Sequence, residues 1–275
     1  MKSRVWIFVL AYICALMAAS GKAEFAQPYA ADSITLLLIG THYAIDDVRS
    51  ADAIVIAAMQ RSTGALRLAT IQRNVLINGQ KDKLKLYASV KDGPQAVVHA
   101  VNQLFQLNIE HFVMVDLSGM EKIVDALGGI ELAIDDKEWV TLLPDGKTGF
   151  HEAGMIMLSG AKALDYMKAP AGEDQPAYGS HISRVLCALA EKAFKKDTNE
   201  LIDLISDQLP YVKTNMTLMQ VLQMTGDALS VPVSGMKTKS FPQNGKVEVN
   251  GKETAVRITD LTAEAKGLQS FLYGP

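Results

Sequence analysis

Three apolar runs separated by polar loops dominate the stretch between residues 34 and 77. The runs span residues 34–39, 53–58 and 66–71. Near-continuous apolar runs of this length predict β-strands that are covered on both faces. The loop between the first two runs is dense in polar groups, and Gln72-Arg73-Asn74 follows the third run directly. Open α/β sheets bind ligands beyond strand ends, so this pattern predicts a polar site at one edge of a sheet.

The pattern beyond these runs alternates between helix and strand. Gly93-Pro94 precedes apolar residues at helical spacing, and residues 112–115 have the pattern of a strand. A second helix is predicted over 118–126, with Ser118-Gly119-Met120-Glu121 as its capping box. Another strand is expected at 130–134. Strands that alternate with helices indicate an α/β protein with layered architecture.

The second half of the chain predicts loops, helices and short terminal strands. We expect loops over 135–157 and 169–176, where Gly and Pro are dense. The predicted elements are helices 159–167, 181–196 and 201–209, a capping box at 217–220, strands near 239–241, 247–249 and 255–258, and a final helix capped by Asp260. No long linker divides the chain, so we expect one domain over residues 33–275.

The N-terminus has the pattern of an export signal. Lys2 and Arg4 precede an uninterrupted apolar segment, and small residues stand before position 24. Residues 1–23 therefore predict a signal peptide or, alternatively, an uncleaved N-terminal membrane anchor. A short tether follows over 24–32. The bulk of the chain is then expected outside the cytoplasmic membrane, either secreted or anchored.

Composition and charge exclude several classes of protein. Apolar residues make up 49% of the chain and charged residues 21%, which is typical of a globular protein rather than a disordered one. Removing residues 1–23 takes away three basic residues and no acid, so the net charge falls from −3 to −6. An acidic exported domain is poorly suited to bind nucleic acid. Cys187 would be the only remaining cysteine, and its apolar helical context predicts core packing.

Local motifs do not identify a reaction. The sequence has no phosphate-binding loop, no G-x-G-x-x-G after a strand, no G-x-S-x-G and no zinc-ligand spacing. An active site must then be assembled from distant segments. The candidates are charged residues near predicted strand ends and on the helix after residue 180: Asp52, Arg73, Lys83, Lys85, His181 and Arg184.

The candidate residues suit an anion, and in particular a phosphate. His181 and Arg184 are three residues apart on one helical face, which we expect to point away from the apolar stripe and towards a cleft. Arginine near helix N-terminal amides suits phosphate or pyrophosphate, and Asp52 could hold Mg²⁺. Each cation could instead be a solvated surface residue, Asp52 a cap at a strand start, and His42 a loop residue. The residues by themselves predict an exported α/β domain with an anion site.

Several segments together resemble the LytR-CpsA-Psr (LCP) family of bacterial envelope proteins. The family's R-S-D-T-I and I-P-R-D motifs are similar to Ser50-Ala51-Asp52-Ala53-Ile54 and Ile71-Gln72-Arg73-Asn74. Its K-I-N-H-A-Y-x-x-G-G-P motif resembles residues 83–88 with Gly93-Pro94. Further matches are the strand–helix–strand over 112–134, the helix start at 158–166, and the terminal segments 240–242 and 272–274.

This resemblance implies a fold, an activity and a set of partners. LCP proteins have a three-layer α/β/α fold around a central mixed sheet, with an apolar tunnel for a polyprenyl chain. They transfer glycopolymers from a polyprenyl-pyrophosphate carrier to peptidoglycan outside the cytoplasm, at the membrane surface. Arginines hold the pyrophosphate, and acids hold Mg²⁺. By resemblance, Arg73 and Arg184 contact phosphates, Asp52 positions them or binds the metal, and Lys83, Lys85, Arg49 and His181 are auxiliary positive groups.

The chain departs from the family at several motif positions. The replacements change charge or hydrogen-bonding type: His42 for an acid, Ala44 for a basic residue, Ser50 for an arginine beside Arg49, Asn74 for an acid, Lys85 for an asparagine, and His181 for an arginine. Losing an acid weakens a Mg²⁺ site, because this hard cation needs anionic oxygens. Two functions follow: a glycopolymer phosphotransferase, or a non-catalytic relative that binds polyprenyl (pyro)phosphate lipid or glycopolymer.

Overall fold

The computed structural model describes residues 32–42, 50–77, 85–135, 138, 154–169, 180–197, 200–201, 207–217, 219–221, 235–250 and 253–274. The predicted signal segment, most of the tether and the middle of the predicted helix 201–209 lie outside these residues. No helix within the described ranges combines the length and apolar character needed to cross a bilayer.

The described chain contains ten strands and five helices longer than two turns. The strands are β1 (Ser33–Thr41), β2 (Ala53–Gln60), β3 (Ala65–Ile71), β4 (Phe112–Asp116), β5 (Ile130–Ile134), β6 (Gly154–Leu158), β7 (Val212–Thr214), β8 (Gly235–Phe241), β9 (Gly245–Asn250) and β10 (Glu253–Ile258). The helices are α1 (Pro94–Phe105), α2 (Leu117–Ala126), α3 (Gly160–Lys168), α4 (Ser180–Phe194) and α5 (Leu261–Tyr273). Residues Leu86–Asp92 and Leu209–Tyr211 form short 3₁₀ helices.

Six strands form the central mixed sheet, in the order β7-β4-β1-β2-β3-β8. The three apolar runs at its centre are an antiparallel meander, joined between β2 and β3 by a tight turn. The sheet is mixed because β4 lies parallel to β1, and β8 lies parallel to β3. This connectivity brings the end of β1, the start of β2 and the end of β3 to one edge of the sheet. We call it the polar edge.

Apolar side chains cover both faces of the sheet, as the uninterrupted runs predict. Alternate residues of β1 enter two separate cores, with Leu36 and Leu38 in one and Leu37 and Ile39 in the other. The first core is closed by α2, α3 and α4 together with the β5–β6 ribbon. The second is closed by α1 and α5. The sequence prediction of a three-layer α/β/α fold with a central mixed sheet is confirmed.

Two predictions about local structure are wrong. The loop expected over 135–157 ends in a strand, because β6 pairs antiparallel with β5 in a separate two-stranded ribbon. The helix expected to start at Ser118 begins at Leu117, and Asp116 is its cap through a 2.7 Å hydrogen bond from the Gly119 amide. The cap was predicted two residues too late, at Ser118, since Asp116 fits the same capping rule.

Other local predictions are confirmed. Asp260 accepts a 2.9 Å hydrogen bond from the Ala263 amide at the start of α5. The second capping box is reciprocal: the Thr217 amide donates to Gln220 Oε1 at 2.8 Å, and the Gln220 amide donates to Thr217 Oγ1 at 3.3 Å. Cys187 packs against the first core, and burial raises the pKa of its thiol to about 11.

Candidate functional site

The polar edge brings together three residues that are far apart in the sequence. Asp52 lies just before β2, and its amide donates a 2.7 Å hydrogen bond to the Gly40 carbonyl of β1. Arg73 lies two residues beyond β3, and its Nη1 donates to Asp52 Oδ1 at 2.8 Å. The His42 amide donates to Asp52 Oδ2 at 2.8 Å, and its ring Nδ1 contacts the same oxygen. Asp52 is therefore held between a cation and a histidine.

His42 is more than a loop residue. Strand β1 ends at Thr41, so His42 stands at the polar edge one residue beyond the paired backbone. Its contact with Asp52 occupies the oxygen that Arg73 does not use. The sequence comparison placed His42 where related proteins carry an acid, and the structure shows what the replacement does. An acid there would repel Asp52, whereas a histidine can form a hydrogen bond with it.

Tyr87 links Arg73 to Lys85. The Tyr87 amide donates to the Arg73 carbonyl at 2.8 Å, and the Tyr87 carbonyl accepts from the Ala51 amide at 3.1 Å. The Arg73 guanidinium carbon and Lys85 Nζ each lie 5.9 Å from the Tyr87 ring centroid, within cation–π range. Lys85 and Arg73 thereby lie near the same ring. Tyr87 itself was missed, although it follows Lys85 by two residues. Arg49 and Lys83 lie outside the described residues.

A second polar cluster surrounds Glu138. This carboxylate accepts hydrogen bonds from Arg184 Nη1 and, at 2.9 Å, from the Tyr166 hydroxyl. His181 Nε2 lies 3.5 Å from the same Glu138 oxygen, and its ring centroid lies 4.3 Å from that of Tyr166. Arg184 also donates to the Ala133 carbonyl. Burial raises the pKa of Tyr166, with the negative charge of Glu138 adding to the effect.

The expectation that His181 and Arg184 project freely into a cleft is wrong. His181 is buried, and both residues are turned towards Glu138. The helical spacing did place them on one face, but that face meets the end of β5 and the residues that follow it. Glu138 has no signal in the sequence that would single it out among the neighbouring acids. Tyr166, by contrast, lies in the helix segment that resembles the family.

A buried hydrogen bond connects the second cluster to the polar edge. Thr70 Oγ1 and Ser183 Oγ are 2.7 Å apart, and both side chains are buried. Thr70 lies three residues before Arg73, and Ser183 immediately precedes Arg184. The bond fixes the N-terminal part of α4 against the end of β3. It therefore brings the segment that carries Arg184 towards the segment that carries Arg73.

An apolar cavity opens between the sheet and helices α2, α3 and α4. It encloses about 600 Å³, including space that is open to solvent. Its walls are aliphatic side chains from both layers: Leu38, Val55 and Val115 of the sheet, Ile123 of α2, and Ile182 and Leu189 of α4. The aliphatic lining suits a hydrocarbon chain.

Residues of both polar clusters are neighbours in sequence of residues that line this cavity. Ala53 and Gly40 line it at the sheet, and Ala53 directly follows Asp52. Met167 and Ile182 line it from the helices, and they directly follow Tyr166 and His181. The arrangement is therefore an apolar cavity with charged and polar groups at neighbouring chain positions. A ligand with a hydrocarbon tail and an anionic head would match both parts.

The described residues do not fit a Mg²⁺ site. Both oxygens of Asp52 are engaged, one by Arg73 and one by His42. Asn74 stands in place of a family acid, and its amide group donates to Thr254 Oγ1 at 3.4 Å. Within the described ranges, no three His, Cys, Asp or Glu side chains are close enough to hold a metal ion together. A hard dication needs more anionic oxygens than Asp52 alone supplies.

Known proteins resemble this chain in sequence over most of its length. The LytR_cpsA_psr family model matches residues 15–268. The polyisoprenyl-teichoic acid–peptidoglycan teichoic acid transferase TagU of Bacillus mycoides is 23% identical over 213 residues, which is 74% of this chain and 67% of TagU. The corresponding transferase TagV of Bacillus subtilis is 22% identical over 200 residues, 69% of this chain and 50% of TagV.

Solved structures share the fold. The structure described as TagT bound to LIIa-WTA superposes with a TM-score of 0.71 at 17% identity, and the match covers 93% of this chain and 96% of TagT. The structure of TagV from B. subtilis gives a TM-score of 0.66 at 19% identity, over 89% of this chain and 99% of that one. Because the family model covers most of the sequence, the chain belongs to the LytR_cpsA_psr family.

Proposed function

We propose that this protein acts outside the cytoplasm and transfers a glycopolymer from a polyprenyl-pyrophosphate carrier to peptidoglycan. The observation that carries the proposal is the apolar cavity whose lining residues Ala53, Met167 and Ile182 directly follow residues of two polar clusters, each of which contains an arginine. Two curated relatives are named as polyisoprenyl-teichoic acid–peptidoglycan transferases, which supports the same class of substrate. Export and contact with the membrane surface are part of the proposal.

The cavity accounts for binding of the lipid. A polyprenyl chain has no hydrogen-bonding groups, so burying it between Val55, Val115 and Leu189 releases water without leaving any polar atom unpaired. Gly40 and Ala53 line the cavity at the polar edge. The lipid would therefore enter with its pyrophosphate left at the polar edge.

The cations account for binding of the pyrophosphate. Arg73 and Lys85 share the ring of Tyr87, which holds two positive charges near one strand end. Arg184 uses two N–H groups for Glu138 and the Ala133 carbonyl, and a guanidinium has five. Arginine suits phosphate because its planar fork of donors matches two oxygens at once. Arg49 and Lys83 would add positive charge around the same head group.

The chemistry proposed is a phosphoryl transfer. A hydroxyl oxygen of peptidoglycan attacks the phosphorus that carries the glycopolymer, a new O–P bond forms, and the bond to the bridging oxygen breaks. The polyprenyl phosphate leaves with the electron pair, and the hydroxyl proton passes to solvent or to a nearby base. Arg73, Lys85 and Arg184 would neutralise the charge that develops on the phosphate oxygens.

A second candidate is a binder without catalysis. The observation that favours it is the state of Asp52, whose two oxygens are committed to Arg73 and His42. Asn74 stands in place of an acid, so the described site retains cations that could bind phosphate but few side chains that could ligate a metal ion. Such a protein would hold polyprenyl phosphate or its glycopolymer and present it to another enzyme.

One experiment separates these possibilities. The purified chain is incubated with a polyprenyl-pyrophosphate glycan analogue and peptidoglycan fragments, with Mg²⁺ or with EDTA, and both binding and transfer are measured. Arg73→Ala should weaken binding by about 10- to 100-fold, since it removes charge-assisted hydrogen bonds. Arg61→Ala is the control, because Arg61 lies in the β2–β3 turn at the end of the strands away from the polar edge. This variant should bind the analogue as the wild type does. Binding without transfer supports the second candidate, and no binding at all sinks both.

A further inference from the structure

Strand β9 is an edge strand that carries two exposed valines. Val247 and Val249 are 59% and 69% exposed, and they share a face of the ribbon with Val256, the residue opposite Val247 on β10. Val256 is buried in the second core, so the two valines extend an apolar face from that core into solvent. Within the described ranges, β9 pairs with β10 alone. An apolar edge strand of this kind is a template for pairing with another strand.

The hydrogen bonds of β10 determine which backbone groups of β9 point outwards. The Val256 amide donates to the Asn74 carbonyl at 3.0 Å, and the Val256 carbonyl accepts from the Leu76 amide at 2.9 Å. Both polar groups of Val256 therefore point away from β9. Opposite residues of an antiparallel pair either bond to each other or both turn outwards, so Val247 turns its N–H and C=O towards the open edge.

A hydrogen bond at the start of the ribbon leads to the same conclusion. The Thr259 amide donates to the Asn244 carbonyl at 3.4 Å, and the register of the ribbon places these two residues opposite each other. Mutually bonded positions recur at every second residue from Asn244, which leaves Gly245, Val247 and Val249 turned outwards. Three residues of β9 thus present their N–H and C=O groups to a further strand.

The charged residues of β9 favour one way of pairing this strand with a second copy of itself. Lys246 and Glu248 stand on either side of Val247. In an antiparallel pair centred on Val247, Lys246 of each copy lies opposite Glu248 of the other, and the two Val247 side chains meet. Centring the pair on Lys246 or on Glu248 would place like charges opposite each other, which is destabilising. The register centred on Val247 also overlaps the two strands along most of their length.

We infer that β9 pairs antiparallel with β9 of a second copy and that the protein forms a two-fold symmetric dimer through this edge. The outward N–H and C=O groups of residues 245, 247 and 249 would bond across the two-fold axis, and the valines would cover one another. The contact is small, so the dimer is expected to be weak, with a dissociation constant of about 10–100 µM. This inference is independent of the proposed function.

Protection of the edge by lysine is the competing explanation. A lysine on an edge strand usually prevents pairing with another strand, and β8 shows that pattern, with Lys237 and Lys239 and no acid. If β8 paired with itself about its centre, these two lysines would face each other. On β9 the same arrangement brings Lys246 to Glu248. Glu248 also contacts Arg257, but a carboxylate accepts hydrogen bonds from more than one donor.

The first test measures self-association of the full-length protein by sedimentation equilibrium between about 1 and 500 µM, in a density-matched detergent that keeps the apolar N-terminal segment dispersed. Val247→Pro removes an outward N–H while leaving the bonds between β9 and β10 intact, so it should raise the dissociation constant by at least about tenfold. Lys213→Glu, on the edge strand β7, is the control and should associate as the wild type does.

Reversal of single charges tests the register. Lys246→Glu and Glu248→Lys should each weaken self-association by about tenfold, because each places like charges opposite each other twice in the dimer. An equimolar mixture of the two variants should associate again, because every reversed charge then faces an opposite charge. Restored association of two weakened variants shows that both are folded and that these residues meet across the interface.

A disulfide reports the two-fold axis directly. Residues that bond to each other in an antiparallel pair have Cα atoms about 5.5 Å apart, which suits a disulfide. Val247→Cys should therefore form covalent dimers under mild oxidation. Val249→Cys is the matched control, because this position faces Gly245 of the second copy and lies about 13 Å from its own equivalent. The wild type accounts for any cross-linking through Cys14 or Cys187.

Three results would overturn the inference. A wild type that stays monomeric up to about 500 µM would leave β9 to solvent or to a different partner. Association that persists in Val247→Pro, or in both charge variants, would place the contact elsewhere on the molecule. Equal cross-linking of Val247→Cys and Val249→Cys would rule out the register centred on Val247.

Discussion

Glu138 changes the chemistry expected of α4. The two residues predicted to meet phosphate, His181 and Arg184, both contact this single carboxylate. Its side chain is 13% exposed, so the interaction lies in a partly desolvated environment where charge-assisted hydrogen bonds are strong. Glu138 therefore orients Arg184, and an incoming phosphate must either share that arginine with Glu138 or displace it.

Glu138→Gln should destabilise the fold by about 1.5–3 kcal/mol, because it replaces a charged acceptor with a neutral one while keeping the side-chain shape. Urea denaturation measures the change. The control is Glu200→Gln, which breaks an exposed pair with Lys196 one helical turn away and should cost less than about 0.5 kcal/mol. If the two substitutions cost the same, the Glu138 cluster does not stabilise the protein as the contacts imply.

The sequence predicts some of these residues better than others. Asp52 and Arg73 flank strands, and antiparallel order brings a strand start beside a strand end, so their meeting could be expected once the meander was recognised. Glu138 follows β5 among several acids, and no periodic pattern marks which of them turns inward. His42 was set aside because a lone histidine in a loop is usually solvated. Its contact depends on the exact end of β1, which patterns locate only to within a few residues.

The strands and helices themselves follow from the spacing of apolar residues, which recur every two residues in strands and every 3.6 residues in helices. The strands of the meander, and helices α1, α3, α4 and α5, agree with the periodicity of their apolar residues. The error at the start of α2 occurs where two local rules compete. Asp116 and Ser118 are both good capping residues, and the strand β4 runs directly into α2 without a loop, so the sequence did not separate them.

Asp116→Ala should destabilise the protein by about 1 kcal/mol, since it removes the acceptor for the Gly119 amide at the start of α2. Ser118→Ala is the matched control, because the capping box predicted from the sequence would make Ser118 the important residue. Because Asp116 is the cap in the structure, we expect Ser118→Ala to change the free energy of unfolding by less than about 0.5 kcal/mol. Thermal or urea unfolding of both variants shows which of the two residues caps the helix. A larger loss in Ser118→Ala would restore the original prediction.

The described part of the chain combines a thoroughly packed sheet with an apolar region that is not filled. Helices α1 and α5 close the second core, whereas α2, α3 and α4 leave the cavity beside β1, β2 and β4. Protein interiors are normally close-packed, so an unfilled apolar space has a cost in stability that side chains of slightly larger size would remove. Retaining it is consistent with a ligand that completes the core.

Val115→Phe tests whether the cavity binds lipid. Val115 lines the cavity and is 9% exposed, so a phenyl ring there would occupy the space proposed for the polyprenyl chain. We expect the affinity for a long-chain polyprenyl phosphate to fall by more than about tenfold, while affinity for inorganic pyrophosphate, which depends on Arg73, stays within about twofold. Val247→Phe makes the same change on the exposed face of the β9–β10 ribbon, where the side chain is 59% exposed, and should leave both affinities unaltered.

Native mass spectrometry or tryptophan fluorescence measures the binding of the two ligands side by side. Equal loss of both ligands in Val115→Phe would mean that the fold was damaged, and unchanged lipid binding would place the polyprenyl chain outside this cavity.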